Sequence, residues 1–132
     1  MRKLLLLALL MPLAAQAASW VSVGSNGESQ SFIDKASILK TVDGYKAWSL
    51  TSYSKEQTSQ DGSSYQSVKE LHVYACKART VTLLSQVYYS APMGKGPVAQ
   101  NIKYEKFSAE DIIPDSTDDS ALQVVCKGGK SK

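Results

Sequence analysis

Histidine occurs once in this sequence, at His72, and cysteine twice, at Cys76 and Cys126. The single histidine can be teamed only with Glu70 on the same strand face, and no Gly-x-Ser-x-Gly turn supplies a serine nucleophile beside it. The stretch Gly94-Lys95-Gly96-Pro97 lacks the spacing and the following Ser or Thr of a phosphate loop, and Pro97 spoils a helix start. One histidine and two cysteines that read as a bonded pair leave only carboxylates as metal ligands, and none has EF-hand spacing. No catalytic set, metal site or cofactor is therefore expected, and His72 reads as an ordinary strand residue. Beyond the first residues no apolar run approaches the roughly 20 residues that span a bilayer. No internal repeat is present.

The opening of the chain reads as an export signal over residues 1–17. Arg2 and Lys3 form a charged start, Leu4 to Leu10 an apolar run, and Ala15-Gln16-Ala17 carries small residues at both key positions of a cleavage site. A single mature domain is expected over 18–132. No cysteine lies between Ala17 and Ser19, where a bacterial lipid anchor needs one. A soluble protein, periplasmic or secreted, is the expectation. Without Arg2 and Lys3 the 15 basic residues fall to 13 against 12 acidic ones, a net charge of about +1 rather than +3. Nucleic-acid binders carry a larger basic excess.

In an exported chain, two cysteines read first as one structural disulfide. Two free thiols or a redox pair are the competing readings, and a redox pair usually has closer spacing. A bond between Cys76 and Cys126 closes a loop of about 50 residues, which the chain-entropy model values at about 4 kcal/mol. Against a domain stability of about 5–15 kcal/mol, that is a large share.

Alternation and turn chemistry place strands at Ser19–Val23, Ser31–Asp34, Ser37–Lys40, Tyr45–Ser54, Val68–Cys76, Thr80–Tyr89 and Val98–Lys103. Trp48 is the expected core anchor. Lys55–Gln66, rich in Ser and Gln, reads as an exposed, mobile loop. On the central strand, Val68, Glu70, His72, Tyr74 and Cys76 share one face, with Leu71, Val73 and Ala75 opposite. Near the end, Ser116 is placed to cap a helix whose first turn holds Asp118 and Asp119. Leu122, Val125 and Cys126 then fall on one helical face. Gly128-Gly129 is expected to end that helix. The helix would cover one face of the sheet, and a second subunit, making a homodimer, would cover the other.

Three further features bear on function. The seven tyrosines and two tryptophans suit a small sheet's core and, second, a binding surface. The acids Glu105, Glu110, Asp111, Asp115, Asp118 and Asp119 read as a solvated segment and helix cap, with a weak cation site as the other reading. Lys127, Lys130 and Lys132 form a basic tail, read as a solvated terminus and, second, as a feature that lysine-binding host domains can grip.

Several of these residues together resemble the surface-adhesin protein E family of Gram-negative bacteria. They are Trp20, Phe32-Ile33-Asp34 leading to Ser37-Ile38, the aromatic strand with Trp48 and Tyr53, Cys76, Tyr88-Tyr89, Ile113-Pro114 with Ser116, and Val125-Cys126. The resemblance implies an α+β fold: an antiparallel sheet of about six strands with a C-terminal helix tied across it by the Cys76–Cys126 disulfide. It also implies a non-enzymatic adhesin of host matrix and serum proteins, of the laminin, vitronectin and plasminogen type, able to dimerise. No binding residue carries over, only Cys76 and Cys126. The family's known adhesin is lipid-anchored, whereas this leader has no lipid-accepting cysteine. A periplasmic structural or stress-related protein of the same fold is the alternative.

Overall fold

A computed structural model describes residues 17–130. The expected export signal, up to residue 16, and Lys132 lie outside the described residues.

Strand β1 (Trp20–Ser25) turns into β2 (Ser29–Asp34) through Asn26, whose side-chain oxygen accepts the N–H groups of Glu28 and Ser29, each at 2.8 Å. Asp34 caps a 3-10 turn over Lys35–Ser37 by accepting the Ala36 N–H. Then come β3 (Leu39–Lys40), β4 (Tyr45–Thr58), β5 (Ser64–Ala75) and β6 (Thr80–Tyr89). A second 3-10 turn, Pro92–Gly94, precedes β7 (Val98–Lys103) and β8 (Glu110–Asp111). The helix α1 (Thr117–Lys130) closes the described chain.

All pairings are antiparallel, in the order β1-β2-β4-β5-β6-β7. The two short strands do not widen the sheet. β3 pairs β4 at Tyr45 and Lys46, end to end with β2, and β8 pairs β6 at Thr80 and Val81, end to end with β7. The eight strands therefore make a sheet six strands across, as expected.

The polar stretch 55–66 is not a loop. β4 runs to Thr58 and β5 starts at Ser64, with Gln57 opposite Tyr65. Only residues 59–63 form the turn, where the Asp61 side chain accepts the Ser63 N–H and the Ser59 hydroxyl. Both faces of this hairpin end meet water, so it carries little apolar alternation.

Register assigns the faces. Tyr45 pairs with Tyr74, Ala47 with His72 and Tyr74 with Val81, so these side chains lie together. The helix packs on that face, closing a core of Ile33, Ile38, Ala47, Tyr74, Leu122 and Val125. Ala47 is the small residue that lets the helix approach; Tyr74, 1% exposed, fills the centre. Trp48 is not the core anchor. It pairs with Leu71 on the opposite face and stays half-buried. Helix α1 also continues through Gly128-Gly129. A Cβ at Gly128 would meet Ile38 Cδ1 at 2.7 Å, and one at Gly129 would collide with the Tyr45 ring. The glycines are used for close packing of the last turn rather than for stopping it.

Candidate functional site

Cys76 lies just past β5, and Cys126 lies on the packed side of α1. Their sulfurs are bonded at 2.01 Å, with the Cα atoms 6.0 Å apart and 50 residues between them in the chain. Ser116 accepts the Asp119 N–H at 3.2 Å, as an N-cap should. Asp119 also accepts the Asp115 N–H at 2.9 Å and the Arg79 guanidinium at 2.6 Å. The Asp115 amide and then Arg79 hold its carboxyl below the usual aspartate range. Of the six acids in this segment, Asp119 is thus committed to the frame. Among the described residues no group of three or more His, Cys, Asp or Glu side chains converges as a metal site.

Beyond the N-terminal end of α1, the helix-side face stays open. A cleft of about 290 Å³ runs between β5–β6 and residues 104–110, with His72, Leu83, Tyr104, Lys106, Glu110 and Asp118 in its lining. Burial lowers the His72 pKa, and the nearby Glu70 and Asp118 carboxylates oppose that shift. His72 Nδ1 is buried without a hydrogen-bond partner. Glu70 does not orient it; its Oε2 instead accepts from Gln86 Nε2 at 2.6 Å, while Gln86 Oε1 accepts the Tyr104 hydroxyl at 2.6 Å. The two residues share a face, as expected, yet no nucleophile is hydrogen-bonded to them among the described residues. Farther along the same face, Tyr65 stands edge-on between Tyr53 and Tyr88, with centroids 5.9 and 4.7 Å away. Burial raises the pKa of Tyr53 and of Tyr88.

The other sheet face has a different chemistry. The 3-10 turn at Pro92–Gly94 covers one end of it. Met93 and Gly94 N–H donate to Ser52 Oγ and Ser67 Oγ at 3.0 and 2.8 Å, and Ser67 donates to Ala91 O at 2.6 Å. Beside it a cleft of about 250 Å³ is lined by Trp20, Asp34, Trp48, Lys69, Val87 and Tyr89. The Lys69 ammonium lies 5.7 Å from the Trp20 ring centroid and 5.1 Å from that of Tyr89, inside cation–π range.

In the basic tail, Lys127 is exposed on α1 and Lys130 is the last residue of the helix; Lys132 lies outside the described residues. The aromatic–lysine cleft was not read from the sequence. The available signal was parity: the alternation that puts Ala47 under the helix puts Trp48, and through pairing Leu71 and Lys69, on the far side.

Comparison with known proteins now places this architecture. No curated protein sequence matches the chain significantly. Solved structures of Haemophilus influenzae protein E share the fold. One aligns with a TM-score of 0.65 at 17% identity, over 93% of this chain and 95% of that one. A second crystal form gives 0.64 at 18%, over 93% and 98%. The selenomethionine form gives 0.61 at 20%, over 77% and 83%. A family model described as surface-adhesin protein E matches residues 20–127. That span includes every strand, the disulfide and most of the helix, and the chain belongs to the surface-adhesin protein E family.

Proposed function

We propose that the protein is an exported, non-enzymatic adhesin that binds host extracellular-matrix or serum proteins of the laminin, vitronectin or plasminogen type. The observation that carries this reading is the family match over residues 20–127. Export rests on the signal-like residues 1–17, and no helix of the described residues is long and apolar enough to cross a membrane. The domain proposed over 18–132 includes the basic tail Lys127, Lys130 and Lys132 as the candidate for electrostatic contact. Homodimerisation belongs to the same proposal and is tested by sedimentation equilibrium. Purified protein applied to immobilised laminin, vitronectin and plasminogen is expected to bind at least one of them. If the tail takes part, binding weakens as salt rises. Failure against all three overturns the reading.

A second reading is a periplasmic structural or stress-related protein of the same fold. It is favoured by the Cys76–Cys126 bond, which persists in an oxidising compartment such as the bacterial periplasm. Protease added to intact cells separates the two: degradation supports surface display, and protection supports the periplasmic role.

A further inference from the structure

The cleft on the sheet face away from α1 is a converged site. Trp20 comes from edge strand β1 and Tyr89 from β6, with β2, β4 and β5 between them. In a flat sheet strands four steps apart are about 19 Å from each other. Both rings nevertheless reach the same ammonium, at 5.7 and 5.1 Å, so side chains from both sides converge on Lys69 and form a cup. The lysine is held from below as well. A Cβ at Gly94 would meet Lys69 Cε at 2.5 Å, so the 3-10 turn lies directly on its stem. Among the described residues Lys69 makes no ion pair. The one acid of the cup, Asp34, already has Oδ1 engaged by the Ser19 and Ala36 N–H groups, at 2.8 and 3.0 Å.

These features narrow the ligand. A cationic guest is disfavoured, because the aromatic faces that would hold it already hold Lys69. A broad protein partner is disfavoured too. The large exposed apolar side chains, such as Leu39, Val42, Phe107 and Ile113, lie outside the cup, whose own rings are half-buried. At about 250 Å³ the cup is smaller than the roughly 300–1,000 Å³ of pockets that enclose a whole small molecule. It suits the end group of a longer ligand. That group needs an apolar ring face for the aromatics, an anion for the ammonium, and a hydroxyl for the second oxygen of Asp34.

We infer that the Trp20–Trp48–Lys69–Tyr89 cup binds the terminal acidic sugar of a glycan, with the sugar carboxylate on Lys69 and its C–H face on the rings. The inference rests on the cup alone and not on the proposed binding of host proteins. Trp20 and Trp48 are the only tryptophans in the chain, so both indole signals report this site. Titrating the purified protein with sialyllactose, with a glucuronic-acid-terminated disaccharide and with neutral lactose gives the test. At least one acidic sugar is expected to shift both indole N–H resonances and the tryptophan fluorescence, with lactose weaker by at least tenfold. Lys69→Gln is expected to weaken acidic-sugar binding at least tenfold, and Tyr89→Leu, a second variant in case the first misfolds, to weaken it similarly. The inference is overturned if no acidic sugar moves the indoles at millimolar concentration or if folded Lys69→Gln binds as well as the parent. It is equally overturned if only a peptide carboxylate perturbs them.

Discussion

Asp119 and Cys126 stand about two turns apart on one face of α1, and each is tied to the turn that joins β5 to β6. Asp119 accepts the Arg79 guanidinium at 2.6 Å, and Cys126 is bonded to Cys76. One turn of the chain thus grips the helix at its first turn and again near its end. Between the two grips, Leu122 and Val125 are pressed onto the core.

The covalent grip is the larger. Cross-linking residues 50 apart removes unfolded-state entropy worth about 4 kcal/mol in the chain-entropy model. Urea unfolding of the Cys76→Ala/Cys126→Ala variant should show a loss of that order, and intact-mass measurement of native protein should find no free thiol. Equal stability of the two proteins would show that the sheet and helix do not need the bond.

The polar grip should show as pH dependence. Asp119 has its folded-state pKa depressed, by the Asp115 amide first and Arg79 second. Its contribution is therefore complete above the unfolded aspartate value near 3.9 and disappears as pH falls through the lower folded-state value. Melting temperatures measured from neutral pH down to about pH 2 should fall less steeply for Asp119→Asn than for the parent across the acid range. Identical slopes would remove Asp119 from the account.

His72 titrates in a separate window. Burial depresses its pKa more than Glu70 and Asp118 raise it. The unfolded chain then binds the extra proton first, so stability is full above about pH 6.5 and declines as pH falls toward the folded-state value. Replacing His72 with Phe should flatten the stability profile between about pH 7 and pH 5. A parent profile already flat there would show that the ring is not buried in its neutral form.

Helix capping gives a local test. Ser116 accepts the Asp119 N–H at 3.2 Å and donates to Ile113 O at 2.6 Å. Ser116→Ala should cost about 1 kcal/mol, read from chemical denaturation, with the disulfide intact.

Much of this frame was legible in the residues, for identifiable reasons. β6 is dense in β-branched and aromatic residues, and the Pro92–Pro97 break stops it, so both ends of Thr80–Tyr89 could be read. The spacing of Leu122, Val125 and Cys126 showed which helix face packs. The far hairpin end was lost because strand pairing there is solvated on both faces, which leaves no period-2 signal. Trp48 was misplaced because size suggests burial, whereas side is decided by pairing: Ala47 lies against His72 and Trp48 against Leu71. The Lys69 cup was invisible for a similar reason. Its parts come from five strands, β1, β2, β4, β5 and β6, and meet only in three dimensions.

Gly94 and Gly62 offer a matched pair that tests how firmly that cup is built. Both have φ in the left-handed region, +69° and +87°, so alanine at either incurs a backbone penalty of about 1–2 kcal/mol. They differ in what the new methyl meets. At Gly62 there is nothing within 4 Å; at Gly94 the methyl meets Lys69 Cε at 2.5 Å, with Leu50 Cδ1 at 3.7 Å. Gly62→Ala should therefore show the backbone penalty alone, with an unchanged tryptophan spectrum. Gly94→Ala should be the more destabilised of the two and should displace the Lys69 stem, moving the ammonium away from Trp20 and Tyr89. A shift in tryptophan fluorescence in Gly94→Ala and not in Gly62→Ala would confirm that the 3-10 turn holds the lysine in place. Equal losses and equal spectra would mean that Lys69 swings aside freely and that the cup is not pre-organised.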